Sequence, residues 1–366
     1  MVITALLLSV PALSSAGAET KLEQHGFTSA KTCGECHKEI YDGFSRSLHA
    51  ISSTNPIFSL AFDRAYRETK GAAKDMCGKC HAPTTLITKD HEGRLPITAE
   101  GVTCDFCHSV ESVDISAAQP FRLDVAGKKR GSMQNASSPA HAASYAEWFK
   151  KSEMCAPCHE VTSAYGVKTA TTFSEWKASG YSKKGVQCQD CHMPQVSGRV
   201  ADVTGKSSGK IHDHGMSHNV ELMKGAVRID VIRAEKTMGD RFVVELGVTN
   251  VRAGHSIPTG SQPRELTLEV TIKGSDGRSE TQRKGFGKKI AGPDGKILGP
   301  GWKACVEGKK IAENTSIKPM ETRATRFMFN TVPKDPEISA TAFLSYSPEV
   351  PSVENIRIPL GSTAAK

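Results

Sequence analysis

Five times in 366 residues the chain sets two cysteines two residues apart and follows them at once with a histidine. The frames are CGECH at Cys33–His37, CGKCH at Cys77–His81, CDFCH at Cys104–His108, CAPCH at Cys155–His159 and CQDCH at Cys188–His192. The sequence holds 11 Cys and 13 His. A random chain of that composition is expected to contain about 0.01 such frames, so five exclude accident. Two thiols at this spacing reach the two vinyl groups on one edge of a porphyrin and add across them, while the adjacent imidazole swings under the ring to the iron. The frames therefore assign Cys33, Cys36, Cys77, Cys80, Cys104, Cys107, Cys155, Cys158, Cys188 and Cys191 as covalent tethers of five haem c groups. His37, His81, His108, His159 and His192 become the iron ligands on the tethered side.

Other thiol chemistries fit less well. Structural zinc pairs its CxxC units, which leaves one of five over and does not call for a histidine directly after each. A thioredoxin-like redox pair is a single CxxC in a βαβ setting. A disulfide framework leaves an odd cysteine and does not explain the histidines. The eleventh cysteine, Cys305, reads as a small packed hydrophobe.

Eight histidines lie outside the frames: His25, His49, His91, His141, His212, His214, His218 and His255. Five irons need five distal ligands if all are bis-histidine. His49 follows His37 by twelve residues along a helix-like stretch, a rise of about 18 Å, so it is expected to reach a neighbouring haem and not its own. His141 precedes a segment, HAASYAEWFKK, that reads as a helix running into the fourth frame. HDHGMSH offers His214 and His218 at i and i+4 on one helical face, with His218 the first choice. His255, in NVRAGHSIPTG, sits in a tight loop between strands that would push the imidazole toward the haem region. His25 and His91 compete for the remainder. Methionine is the rival ligand, with Met76, Met154, Met193 and Met216 near frames or histidines, and it would raise the reduction potential.

These groups need a scaffold, and the sequence divides into two textures. Every frame lies between residues 26 and about 222, among short helical patterns punctuated by Gly, Pro and Ser. The first cysteines of successive frames are 44, 27, 51 and 33 residues apart, so there is no tandem repeat. Beyond, AVRIDVIRAE, RFVVELGVTN, RELTLEVTIKG, TRATRFMFNTV and ISATAFLSYS alternate apolar with polar residues, separated by MGD, GSDG, GPDG and VPKDP. That pattern predicts an antiparallel β-sandwich of immunoglobulin-like architecture. The expected organisation is multidomain α + β: a signal peptide over 1–18, a haem-packed, mainly helical and coil cytochrome domain over 19–224, and a β-sandwich over 225–366.

The signal reading rests on the apolar run Val2–Leu13 followed by Ala16-Gly17-Ala18, although no Lys or Arg precedes the run. No later stretch approaches the length of a membrane span. Hydrophobic residues make up 38% and aromatics only 6%, so porphyrins are expected to fill part of the core. The net charge of +8 is scattered, and propionates of five haems would add about ten negative charges. Nucleic acid is therefore not an expected partner.

The stretches TCGECHKEIYDGFSRSLHA, EGVTCDFCHSV and SEMCAPCHE, with EWKASGYSKKGVQCQDCHMP, resemble the cytochrome c-554 family and the wider group of pentahaem nitrite reductases and hydroxylamine oxidoreductase. GHSIPTGSQPRELTLEV is similar to the β domain appended to many bacterial multihaem cytochromes. The resemblance implies closely packed haems, distal histidines donated across the chain, and electron transfer in the periplasm or outside the cell. Within it the histidine of S-x-H-A is a distal ligand, which falls on His49. In haem number the chain, with five frames, departs from cytochrome c-554, which has four, and from hydroxylamine oxidoreductase, which has eight. It lacks both the lysine-terminated frame and the tyrosine cross-link that mark catalytic haems there. The expected function is an electron carrier between redox partners, a quinol dehydrogenase or a terminal reductase. The alternative is a reductase of a small nitrogen or sulfur oxyanion with one open iron. A third arrangement is self-association, in which a histidine serves a neighbouring molecule's haem.

Overall fold

The computed structural model describes residues 25–202, 209–216, 220–262, 264–299, 301–346 and 358–365. In the N-terminal region each frame occupies a single helical turn. Positions i, i+3 and i+4 of a helix share a face, so the spacing C-x-x-C-H puts both thiols and the imidazole on one side. The frame helices are α1 (Ala30–Gly34), α4 (Lys74–His81), α5 (Cys104–His108), α6 (Ala156–His159) and α8 (Cys188–His192). α1 ends at Gly34, yet the Cys36 and His37 amides still bond the Cys33 carbonyl at 3.3 and 2.9 Å, which keeps the first frame on one turn.

Between the frames lie α2 (Lys38–Ser45), α3 (Pro56–Glu68) and α7 (Thr172–Lys177). α3 starts where Asn55 accepts the Ile57 amide at 2.9 Å, with Pro56 in the first turn. Phe58, Phe62 and Tyr66 recur every four residues along it; Phe58 stacks on Phe62 at 5.6 Å, and Tyr66 meets Phe62 at a tilt, at 5.9 Å.

Three local expectations are corrected. α2 stops at Ser45, so His49 lies in the turns beyond it and not on a continuing helix. HAASYAEWFKK is not a helix: Ala143–Tyr145 pairs in parallel with Lys129–Gly131, and 3-10 turns cover Glu147–Lys150 and Ser152–Met154. Strand pairing across the chain overrides a weak helical preference there. In HDHGMSH, His212 ends a strand paired with Gln195–Gly198 and His214 follows in a loop, so the helical-face premise fails for His214. His218 lies outside the described residues, as does the segment 1–18.

The C-terminal region contains β1 (Val227–Thr237), β2 (Arg241–Asn250), β3 (Arg264–Lys273), β4 (Ser279–Phe286), β5 (Lys288–Ala291), β6 (Lys310–Asn314), β7 (Thr322–Phe329), β8 (Glu337–Tyr346) and β9 (Ile358–Ala365), with helix α9 (Gly301–Glu307) between β5 and β6. Two antiparallel sheets form, in the orders β7-β2-β1 and β4-β3-β8-β9, and β5 pairs with β6. Val244, Leu246 and Val248 of β2 share one buried cluster with Leu266, Leu268, Val270 and Ile272 of β3, Phe327 and Phe329 of β7, and Ala340 and Ala342 of β8. The alternation of each strand thus delivers one face of each sheet to a common core. The five alternating stretches became β1, β2, β3, β7 and β8. β4 escapes the pattern because SETQRKGF carries almost no apolar residue and is mostly exposed.

The two regions touch through α9, which packs on α3, and through the Ser163 hydroxyl, which donates to the Gly308 carbonyl at 2.5 Å. No helix among the described residues is long and apolar enough to cross a membrane.

Candidate haem-ligand site

An iron ligand must present a bare Nε2, and at several of the histidines the backbone favours this by engaging Nδ1. A carbonyl oxygen only accepts, so a ring nitrogen bonded to one carries the proton and leaves the other free. Among frame histidines, His37 donates from Nδ1 to the Val200 carbonyl at 2.5 Å, His81 to Ser52 at 3.0 Å and His108 to Arg130 at 2.5 Å. Outside the frames, His141 donates to Ala142 at 3.2 Å, His214 to His212 at 2.8 Å and His255 to Ser256 at 3.0 Å. Burial pushes the imidazoles toward the neutral, ligating form: His159 to about 3, His192 and His214 to about 4. His49, His81, His108 and His255 are also lowered, burial being the main cause.

Three frame histidines face a histidine from elsewhere in the chain at one separation. The ring centroids of His37 and His141, of His49 and His159, and of His192 and His255 are each 6.3 Å apart. Two metal–nitrogen bonds of about 2 Å plus two ring radii of just over 1 Å add up to roughly this span. Imidazoles packed for their own sake have no reason to repeat it three times. His214 lies within electrostatic reach of His108. His81 stacks instead on Phe58 at 3.9 Å. His91 turns its Nε2 to Asp75 at 2.9 Å, and His25 accepts the Phe27 amide on Nδ1 at 3.0 Å, so neither presents the same face.

The frame thiols meet one another. Cys33 lies beside Cys104, Cys80 beside Cys158, and Cys155 beside Cys188. Cys107 lies within electrostatic reach of Cys155 and Cys158. The first frame thus abuts the third, the third nears the fourth, and the fourth abuts both the second and the fifth. These sulfurs stand in for thioethers, so their contacts mark where tethered edges approach. Cys36 and Cys191 alone among the ten frame cysteines are exposed. Cys305 lies on α9 within electrostatic reach of Cys77 and Cys80, at the second frame and not in the sheet core.

His49 is placed by its backbone. Its carbonyl accepts the Val102 amide at 3.0 Å, next to Gly101 at φ +64°. A Cβ on Gly101 would stand 2.4 Å from that same carbonyl oxygen. Gly101→Ala is therefore expected to destabilise the fold by about 1–3 kcal/mol, read as a lowered midpoint in thermal unfolding.

Sequence reasoning missed a buried ion pair beside the His255 loop. Glu175 of α7 bonds Lys288 of β5 at 3.0 Å, with side chains only 13% and 4% exposed. The partners are 113 residues apart, and neither residue carries a local signal of the pairing.

The donor set fits haem. Among the described residues no group of three or more His, Cys, Asp or Glu is arranged to hold a bare metal ion, whereas imidazoles come in facing pairs with thiols alongside. The His49 ring lies 6.3 Å from the His159 ring, and its buried Nδ1 has no hydrogen-bond partner. When bound, the group supplies reversible one-electron chemistry.

Residues 32–109 match the family model described as cytochrome c554 and c-prime. The fold is shared with a penta-heme cytochrome c552 from Thermochromatium tepidum, at TM-score 0.73 and 20% identity over 93% of this chain and 99% of that one. The putative ApaA protein from Bordetella pertussis matches 38% of this chain and 90% of its own at 12% identity, but its TM-score of 0.19 carries no weight. No curated protein matches the chain. With haem-attachment frames, a match to the cytochrome c554 and c-prime model across the first three of them and a fold shared with a penta-heme cytochrome over nearly the whole length, the chain is similar to multihaem c-type cytochromes.

Proposed function

We propose that the chain is a five-haem electron-transfer cytochrome of the periplasm or cell exterior, passing electrons between a quinol dehydrogenase and a terminal reductase. Cys33, Cys36, Cys77, Cys80, Cys104, Cys107, Cys155, Cys158, Cys188 and Cys191 tether the groups. The paired ligands are His37 with His141, His108 with His214, His159 with His49, and His192 with His255. The observation that carries this reading is the 6.3 Å separation repeated in three histidine pairs. The meeting thiols support a relay in the order first, third, fourth, fifth, with the second frame branching from the fourth. The exposed Cys36 and Cys191 put an accessible edge at each end of that relay. The residues' task is to fix spacing, ligation and insulation. The C-terminal region, residues 225–366, is an immunoglobulin-like sandwich that donates His255.

A second reading, a reductase of a small nitrogen or sulfur oxyanion, draws on the second frame. There His81 faces a phenyl ring and, among the described residues, no second imidazole. Low-temperature electron paramagnetic resonance of the oxidised protein separates the two readings. Only low-spin signals support the carrier, and a high-spin signal that shifts on adding nitrite or sulfite supports the enzyme. Intact mass is expected to rise by about 616 Da for each of five tethered groups, and a smaller increment removes the five-haem reading. His49→Ala is expected to convert one low-spin signal to high-spin, and an unchanged spectrum removes His49 from the ligand set.

A further inference from the structure

The loop that carries His255 is held from the other side of the junction by one carboxylate. Glu175, on α7, accepts the Ser256 amide at 3.2 Å and the Thr259 hydroxyl at 2.6 Å on Oε2. Its Oε1 accepts the Thr171 hydroxyl at 2.7 Å and the Lys288 ammonium at 3.0 Å. The loop is pinned at further points. Asn250 donates to the His255 carbonyl at 2.9 Å, and the Thr172 and Thr259 hydroxyls meet at 2.9 Å. His255 itself donates to the carbonyl of Ser256, the residue whose amide Glu175 holds. One residue, Ser256, thus links the carboxylate, through its amide, to the imidazole, through its carbonyl. All four ligands of Glu175 act on a buried group, so their pull is not averaged away by water.

We propose that Glu175 is the positioning residue of the fifth centre: it anchors the His255 loop so that the imidazole faces His192, and its negative charge lowers the reduction potential there. The proposal rests on the reading that His192 and His255 hold one haem. A fixed carboxylate stabilises the ferric state, which carries one more positive charge than the ferrous. Lys288 offsets part of that charge, so neutralising Glu175 leaves an unbalanced cation and raises the potential.

The test uses the mature holoprotein with His255→Ala, Glu175→Ala and Glu175→Gln, read by electron paramagnetic resonance and by optical redox titration. His255→Ala is expected to turn one low-spin signal high-spin, with recovery on adding imidazole. Glu175→Ala is expected to broaden or partly convert that same signal. Glu175→Gln keeps a carbonyl acceptor for Ser256 and Thr259, so it should restore the low-spin signal while the midpoint of that centre stays raised. If His255→Ala changes nothing, the ligand reading fails. If His255→Ala acts but both Glu175 variants keep the parent spectrum and midpoints, the positioning role is overturned. Should Glu175→Ala fail to fold, the midpoint of Glu175→Gln alone decides, and an unshifted value overturns the proposal.

Discussion

Produced in a host that cannot attach haem, the chain is expected to keep its two β-sheets and lose fixed tertiary structure across residues 25–202. The asymmetry lies in what each region buries. The cluster between the sheets contains 20 buried residues, among them Leu246, Leu266, Leu268, Ile272 and Phe329, all with less than 1% exposure. Each such side chain contributes about 1.5–3 kcal/mol on leaving water. In the frame region the buried clusters number six residues around Phe106, and Ala65 with Ala73 against Trp302 of α9. That is too little to offset the ordering of nearly 180 residues at about 1–2 kcal/mol each. The facing imidazoles stand 6.3 Å apart, and in the five-haem reading the cofactor is expected to supply the missing packing. Limited proteolysis with mass readout checks this. Fragments confined to residues 25–202 and a protected C-terminal segment are expected, and an equally protected N-terminal region would refute the dependence.

Replacing Lys288 by Met is expected to cost about 3–5 kcal/mol, because it strands the Glu175 carboxylate in a buried site. The pH dependence carries the sharper signature. Burial pushes the Glu175 carboxyl up, but Lys288 and the Thr171 and Thr259 hydroxyls outweigh it and hold the group below its ordinary value. A depressed folded value contributes stability that is fully present above the unfolded carboxylate range and is lost as pH falls through the folded value. Without Lys288, burial dominates and the folded value rises. The contribution then changes sign: it is present at low pH and is lost as pH rises through the raised value. Thermal midpoints measured across the acid range in parent and Lys288→Met should therefore slope in opposite directions. Parallel slopes would show that the pair does not set the charge state of Glu175.

Much of the chemistry was legible because it is local. Two thiols and an imidazole that must share one porphyrin edge need a fixed spacing, and a single helical turn supplies it in every frame. Alternation in β1, β2, β3, β7 and β8 was legible for a similar reason, since a strand with one buried face repeats every two residues. β4 was not, because its residues face water and its place is decided by the ladder that Leu268 and Val270 of β3 offer to Lys284 and Gln282. HAASYAEWFKK failed as a helix because a parallel partner, Lys129–Gly131, took part of it.

Which histidine faces which frame belongs to the second class. His49 meets His159 across 110 positions, His37 meets His141 across 104, and His255 reaches His192 from beyond β2. A ligand needs only a bare nitrogen and an approach direction, and neither leaves a pattern in neighbouring residues. The approach is set by carbonyls such as Ser256 and Val200 and by a carboxylate on another element, Glu175. The sequence by itself determined the five haem-attachment frames and where they lie. Only the tertiary structure decided which histidines and which frame thiols come together, because that depends on distances between segments that the chain brings together from far apart.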